Sequence, residues 1–174
     1  MTEKTSPEPG DLIDVFYAPF VRPLGNLVVL FAQAEAACLE FVVELTGETE
    51  KEAQRFLQMK APDVKKEIMP LAQKSGLEGF ELEELSDGIG DYCCDRERRN
   101  RLMHDEWYID LFNDDRAIPR TRGLPRKKDA EVAWGRSTPD DVWQLALRFR
   151  EYRKLFSFRA YDHRRRKETS NGDD

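Results

Sequence analysis

The chain has 174 residues, a mass of 20.3 kDa and a formal net charge of −6 at pH 7, so we expect one domain with short tails rather than a multidomain protein. Apolar residues make up 40% of the sequence and charged residues 36%, with 10 Phe, 5 Tyr and 3 Trp. This composition excludes wholesale disorder, because it supplies enough apolar surface for a core under a charged exterior.

The N-terminal sequence lacks the basic and apolar regions of a secretory signal. The longest apolar stretch, residues 24–45, contains three glutamates that would be costly in lipid, so we expect a buried amphipathic helix and no membrane partner. The three cysteines, two of them adjacent at Cys93 and Cys94, form no disulfide framework, and two histidines offer no zinc ligand set. The sequence therefore favours a cytoplasmic location and predicts neither a metal nor a cofactor.

The N-terminal part of the chain predicts a flexible segment followed by one long helix. Residues 1–10 are rich in proline and charge, which is typical of a flexible lead-in. Pro19 and Pro23 argue against a long regular helix across the next stretch. Apolar residues then recur at helical spacing over 24–46, and Gly47 supplies a stop, so the first long helix is predicted there.

Three further helices are expected in the middle of the chain. Two shorter ones are predicted over 49–60 and 63–75, followed by a turn at 77–79. Apolar residues at helical spacing then predict a second long helix over 81–103.

The periodicity changes after this second long helix. Residues 107–112 and 130–134 predict two short strands, joined by a loop of 17 residues. Thr138 as N-cap, Pro139 at the first position and two acids in the first turn then predict a last helix that runs to about residue 161.

Together these elements predict a mainly α-helical bundle with a two-stranded β-ribbon inserted before the last helix. The single domain would span 11–162, with the ribbon and its loop at about 107–134 and a polar tail at 163–174. Charge is uneven along the chain, since residues 1–95 hold 19 acids and 8 bases whereas residues 96–174 hold 15 acids and 20 bases. Any basic binding face should therefore lie in the C-terminal half.

Six basic residues cluster in the loop of the predicted ribbon, where they could contact RNA phosphates. They are Arg116, Arg120, Arg122, Arg126, Lys127 and Lys128. Charges of this kind can also serve only to solubilise an exposed loop, and composition leaves both interpretations open.

Chemistry is concentrated near the end of the second long helix, at Arg99, Asn100 and His104. At about 100° per residue Asn100 and His104 share a helical face, and the long side chain of Arg99 can turn toward the imidazole. Cleaving RNA without a metal requires a group that transfers protons near neutral pH and a cation that binds phosphate, and His and Arg supply these. A histidine at a helix end can equally be a cap or a hydrogen-bonded core residue.

The spacing of Arg99, Asn100 and His104 resembles the R-N-x-x-x-H motif of the HEPN superfamily, the higher eukaryotes and prokaryotes nucleotide-binding domains. Trp107 takes the fourth position of the pattern H-x-x-W that begins at His104. In the order of its elements, the resemblance extends over about 20–160. It implies an all-helical, commonly dimeric fold and a metal-independent ribonuclease activity.

The resemblance also implies roles for individual residues. Arg99 would bind the scissile phosphate, His104 would act as general acid/base, and Asn100 matches the polar residue that commonly follows the arginine. Glu35 in the first long helix and Asp105 beside the histidine are supporting candidates. Glu35 can equally be a solvated acid on the polar stripe, and Asp105 a helix cap.

The function implied is that of a HEPN-type endoribonuclease that acts on RNA as a homodimer, with an antitoxin or a nucleotidyltransferase as candidate protein partner. One alternative is a non-catalytic RNA- or nucleotide-binding helical module of a defence or toxin–antitoxin system. A third interpretation is a purely structural helical dimer. RNA cleavage that depends on His104 separates the first from the other two.

Overall fold

The molecule is mainly helical, as the sequence predicts. The computed structural model describes the backbone of residues 9–104, 106–109, 119–122 and 134–170, and the side chains of 17–104, 107 and 137–169. The helices are α1 (Pro9–Thr46), α2 (Glu50–Ala53), a 3-10 turn (Gln54–Leu57), α3 (Ala61–Lys74), α4 (Gly79–His104) and α5 (Pro139–Ser170).

Helix α1 contains both Pro19 and Pro23, so the prediction that these prolines prevent a long regular helix is wrong. Each proline lacks an N–H and removes one hydrogen bond from the helix. Phe20, which lies between them, is only 3% exposed and packs edge-on against Trp107 with ring centroids 5.2 Å apart. Tertiary packing therefore stabilises α1 across the segment in which its backbone hydrogen bonding is weakest.

The ends of the helical region also differ from the prediction. Of the expected lead-in at 1–10, residues 9 and 10 belong to α1 and the others lie outside the described residues. Helix α5 continues to Ser170 instead of ending near residue 161. The extension is held against α1, because His163 is buried and Arg164 pairs at 3.0 Å with each of two α1 glutamates. Most of the predicted polar tail is thus helical and in contact with the bundle.

The first of the two shorter helices predicted in the middle of the chain is divided. The segment predicted as 49–60 consists of α2 and the 3-10 turn, which ends at Leu57. The Thr49 side chain accepts a hydrogen bond from the Glu52 backbone N–H, and the Glu52 carboxylate accepts one from the Thr49 N–H, which forms a capping box. Pro62 lies in the first turn of α3, where a missing N–H costs nothing.

Aromatic side chains of α1, α4 and α5 meet in one hydrophobic core. Phe31 and Phe41 of α1 contact Phe149 and Phe156 of α5 at centroid distances of 5.1 and 6.1 Å, so the two helices run parallel. Tyr92 of α4 lies edge-on to both of these α5 rings, at 6.2 and 5.4 Å. This packing buries the shared face of all three long helices.

Helix α4 runs antiparallel to α5. Glu81 near the start of α4 pairs with Arg159, whereas Asp95 near its end pairs with Arg148, closer to the start of α5. The last turns of α4, which carry the motif, therefore lie beside the N-terminal half of α5.

A small antiparallel sheet connects α4 to α5. It has the strands β1 (Glu106–Ile109), β2 (Pro119–Arg122) and β3 (Trp134–Arg136), in the order β1-β2-β3. The two-stranded ribbon is not confirmed in the predicted form, because β2 lies within the predicted loop and β3 overlaps the second predicted strand only at Trp134. The sequence of β2, Pro-Arg-Thr-Arg, contains one β-branched residue and no apolar alternation, so it gives little strand signal.

Helix α1 is long and apolar enough over Tyr17–Thr46 to cross a membrane, judged by length and composition, with a mean hydropathy of 1.6. The core helix of a globular protein meets the same criterion. Of the most apolar window, 39% is buried inside the molecule, so packing against the other helices accounts for part of this apolar character.

Candidate functional site

Arg99 projects from the last turns of α4 toward α1. Its Nη1 donates a hydrogen bond to Asn100 Oδ1 at 3.1 Å, and its guanidinium carbon lies 4.4 Å from the centre of the Phe31 ring. Its Nε is buried, with no hydrogen-bond partner among the described residues. Since its partners are a neutral amide and an aromatic face, the positive charge of Arg99 is held in place without being neutralised by an ion pair within the described residues.

Glu35 of α1 lies near this guanidinium. Burial raises the pKa of the Glu35 carboxyl, and the positive charges of Arg99 and Arg96 act in the opposite direction. No described residue forms a hydrogen bond or an ion pair with Glu35 itself. The predicted supporting acid therefore lies close enough to Arg99 for an electrostatic interaction, but it forms no hydrogen bond or ion pair with it.

His104 is the last residue of α4, and it is exposed. Within the described part of the chain, no hydrogen bond or ion pair joins it to another side chain. It stands five positions after Arg99 in the α-helix, which corresponds to a rotation of about 140° and a rise of about 7.5 Å. A single chain thus presents the imidazole and the guanidinium on different sides of α4, with Asn100 on the same side as His104.

The other predicted site residues are described incompletely or lie outside the described residues. Arg120 and Arg122 lie in β2, where their backbones pair with β1 and β3. The remaining predicted residues, outside the described segments, are Asp105, Arg116, Arg126, Lys127 and Lys128.

Arg96, one turn before Asn100, has a structural contact that sequence reasoning missed. It is buried, and its two terminal nitrogens donate to the backbone carbonyls of Leu57 and Met59. It therefore satisfies one carbonyl at the end of the 3-10 turn and one just after it, and fixes that segment against α4. In the sequence Arg96 is one of several arginines in a basic run, and nothing local distinguishes it.

Asp95 is the second residue that sequence reasoning missed. Its carboxylate is 5% exposed and accepts hydrogen bonds from Tyr152 Oη at 2.7 Å and Arg148 Nη2 at 2.6 Å. Burial, followed by the hydrogen bond to Asp95, raises the pKa of the Tyr152 phenol. This group holds α4 to α5 one turn before Arg99, so it positions the end of α4 that carries the motif.

Trp107 packs at the same end of the bundle. Its Nε1 donates to the Leu102 carbonyl at 2.9 Å, and its ring lies edge-on to Phe20 and Tyr17. These contacts fit a core role for Trp107 better than a role in base stacking.

Arginines lie toward both ends of the bundle. In the C-terminal half of α5, the buried Arg159 contacts two glutamates of α4, and the more exposed Arg164 contacts two of α1. Toward the opposite end, α1, α4 and α5 carry several further arginines, of which Arg148 is paired with Asp95 and Arg150 with Glu151. These are Arg22, Arg98, Arg99, Arg101, Arg148, Arg150 and Arg153. The part of the bundle that carries the motif therefore holds several arginines, two of them in ion pairs.

Among the described residues, no group of three or more His, Cys, Asp or Glu side chains is placed to hold a metal ion. Comparison with protein-family models, curated proteins and solved structures finds no match to this chain. Functional inference therefore rests on three residues of α4. Arg99 is held in place and forms no ion pair with a carboxylate among the described residues, Asn100 accepts a hydrogen bond from it, and His104 is exposed at the end of the helix.

Proposed function

We propose that this protein is a metal-independent endoribonuclease of HEPN type. The observation that carries the proposal is the state of Arg99, whose guanidinium is held by Asn100 and Phe31 and has no carboxylate partner among the described residues. A fixed cation of this kind suits the charge that develops on phosphate during cleavage, because no reorganisation is needed when the charge appears. The spacing of His104 from Arg99 is that of the HEPN motif.

The reaction begins when the ribose 2′-oxygen attacks the adjacent phosphorus. One His104 imidazole takes the proton of the 2′-OH, and a protonated imidazole gives a proton to the departing 5′-oxygen. Arg99 stabilises the negative charge of the phosphorane with N–H groups that match phosphate geometry. The products are a 2′,3′-cyclic phosphate and a 5′-OH, and no water is consumed in this step.

Two copies of the chain would complete the site. Because Arg99 and His104 lie on different sides of α4 within one chain, a homodimer offers a way for one copy's imidazole to approach the other copy's guanidinium. It also supplies two imidazoles, one to act as base and one as acid. A chain that is monomeric at the concentrations at which it cleaves RNA would contradict this part of the proposal.

The alternative function is a non-catalytic RNA-binding module. The absence of any described contact between His104 and Arg99 within one chain favours it, since binding requires cations but no imidazole placed beside them. The arginines carried near the end of α4 would still attract RNA, with an affinity that falls steeply as salt is added. An antitoxin or a nucleotidyltransferase remains the candidate protein partner under either function.

The test is cleavage of labelled single-stranded RNA and transfer RNA in EDTA, with analysis of the product ends. We expect the wild type to leave 2′,3′-cyclic phosphate and 5′-OH ends and His104→Ala to leave the RNA intact. Met103→Ala is the matched control, because Met103 is an exposed neighbour in the same turn. Cleavage that survives in His104→Ala would overturn the assignment, and binding without cleavage by the wild type would establish the alternative.

A further inference from the structure

A groove with an apolar floor lies between α4 and α5, away from the motif. It encloses about 520 Å³, and Tyr152, Leu155 and Phe158 of α5 supply its apolar surface. Phe158 is 56% exposed. A large aromatic side chain left in water at the edge of a groove is typical of a binding surface.

Gly88 allows α4 and α5 to approach closely in the wall of this groove. A Cβ atom at Gly88 would come within 2.2 Å of Leu155 Cδ2, so the missing side chain lets Leu155 reach the backbone of α4. A glycine inside an exposed helix is otherwise unfavourable. Gly88 and Leu155 both line the groove at this close approach, together with Glu84 and Phe158.

Acidic residues of α4 lie in and beside the groove. Glu84 lines it and is paired with the buried Arg159, whereas Asp87 and Asp91 are exposed on the neighbouring turns of α4. Asp87 and Asp91 stand four residues apart and form no ion pair within the described residues, an arrangement in which like charges repel. On the α5 wall, Lys154 is paired with Glu151 and so leaves little positive charge.

We propose that the α4–α5 groove binds a basic amphipathic helix of another protein. Apolar side chains of that helix would cover Leu155 and Phe158, and its lysines or arginines would pair with Asp87 and Asp91. This is the helix-in-groove mode, in which apolar anchors recur at helical spacing. Residues 80 to 91 of α4 extend over about 16 Å, which matches about three turns of a bound helix. Gly88 lies about 16 Å along α4 from Arg99, so a partner could bind there while the motif remains accessible.

The experiment measures fluorescence anisotropy of a fluorescein-labelled 14-residue peptide of leucine and lysine, with leucines at helical i, i+3, i+4 spacing. We expect the wild type to bind it with a micromolar Kd, and Phe158→Ser to weaken binding about tenfold. The double variant Asp87→Asn, Asp91→Asn should weaken binding and reduce its salt dependence. Phe158 is largely exposed, so its replacement leaves the core intact, which circular dichroism would verify.

Two controls separate this site from general attraction to an acidic protein. Val29→Ser removes an exposed apolar side chain of α1, 54% exposed, and should leave the peptide Kd unchanged. A peptide with glutamate in place of lysine should not bind. The proposal would be overturned if the wild type bound no peptide at concentrations up to about 100 μM. It would also be overturned if Val29→Ser weakened peptide binding as much as Phe158→Ser. A protein that instead dimerises, with the dimer lost in Phe158→Ser, would also overturn it, because a second copy would then be the occupant.

Discussion

The hydrogen bond between Tyr152 and Asp95 should make a large contribution to stability, and Tyr152→Phe tests it. The substitution removes only the hydroxyl, which donates at 2.7 Å to a carboxylate that is 5% exposed. Arg148 remains as a partner of Asp95, but its side chain is about half exposed. The variant therefore leaves one oxygen of a buried carboxylate without its donor.

The expected loss is about 2 kcal/mol. Hydrogen bonds to charged groups contribute about 1.5–3 kcal/mol, and water has little access to replace the lost donor at this position. The aromatic ring stays in place, so its edge-on contacts with Tyr92 and Phe149 are retained and no cavity forms. For a chain of this length, such a loss lowers Tm by about 4–8 °C.

Urea unfolding followed by circular dichroism measures this loss, with the m-value as a check that the unfolding transition is unchanged. Tyr161→Phe is the matched control, because it removes the same hydroxyl from the same helix at a side chain that is 59% exposed. We expect the control to stay within about 0.5 kcal/mol of the wild type. If Tyr152→Phe were as stable as Tyr161→Phe, the Asp95 group would not anchor α4 to α5.

Two further predictions concern stability. Gly88→Ala should destabilise the protein by about 1–3 kcal/mol, because the new Cβ overpacks against Leu155. Gly25→Ala should stabilise it by up to about 1 kcal/mol, because no atom lies within 4 Å of the new Cβ. Urea unfolding of both variants measures this difference, and equal changes in the free energy of unfolding would contradict it. Burial, and then the charge of Lys167, lower the pKa of His163 below 6.5. Its contribution to stability should therefore be full above pH 6.5 and be lost as the pH falls through the lowered pKa. Wild type should lose stability over this range more than His163→Leu, and parallel pH profiles would show that His163 is not responsible.

Local signals in the sequence predicted several elements closely. The second long helix was expected over 81–103 and is α4, Gly79–His104. The predicted N-cap Thr138 is confirmed, since its hydroxyl accepts the Asp141 N–H at 3.1 Å. These features depend on helical periodicity and on contacts three residues apart, both of which a single sequence displays.

Features that depend on distant contacts were not predictable in this way. Pro19 and Pro23 sit inside α1 because Phe20 packs against Trp107, which is far away in the chain. Asp95 is buried through a contact 57 residues along the chain, with Tyr152. Periodicity does not reveal which acid in a charged helix will meet a tyrosine of another helix.

The candidate site also combines features that follow from one helix with features that depend on distant contacts. The relative directions of Asn100 and His104 follow from the geometry of one helix, and the structure retains them. The contact of Arg99 with Phe31 and the approach of Glu35 depend on how α1 packs against α4, so the sequence could only suggest the acid and gave no indication of the aromatic ring.

The most direct test of the central claim is single-turnover RNA cleavage by Arg99→Lys, with the Kd for RNA measured separately. Lysine keeps the charge but loses the planar fork of N–H groups, so we expect cleavage to slow by about 100-fold or more while the Kd changes by less than about threefold. Arg98→Lys, the exposed neighbour in the same helix, should cleave at close to the wild-type rate. Equal rates for the two variants, or a wild-type rate in Arg99→Lys, would contradict the role of Arg99 in stabilising the transition state.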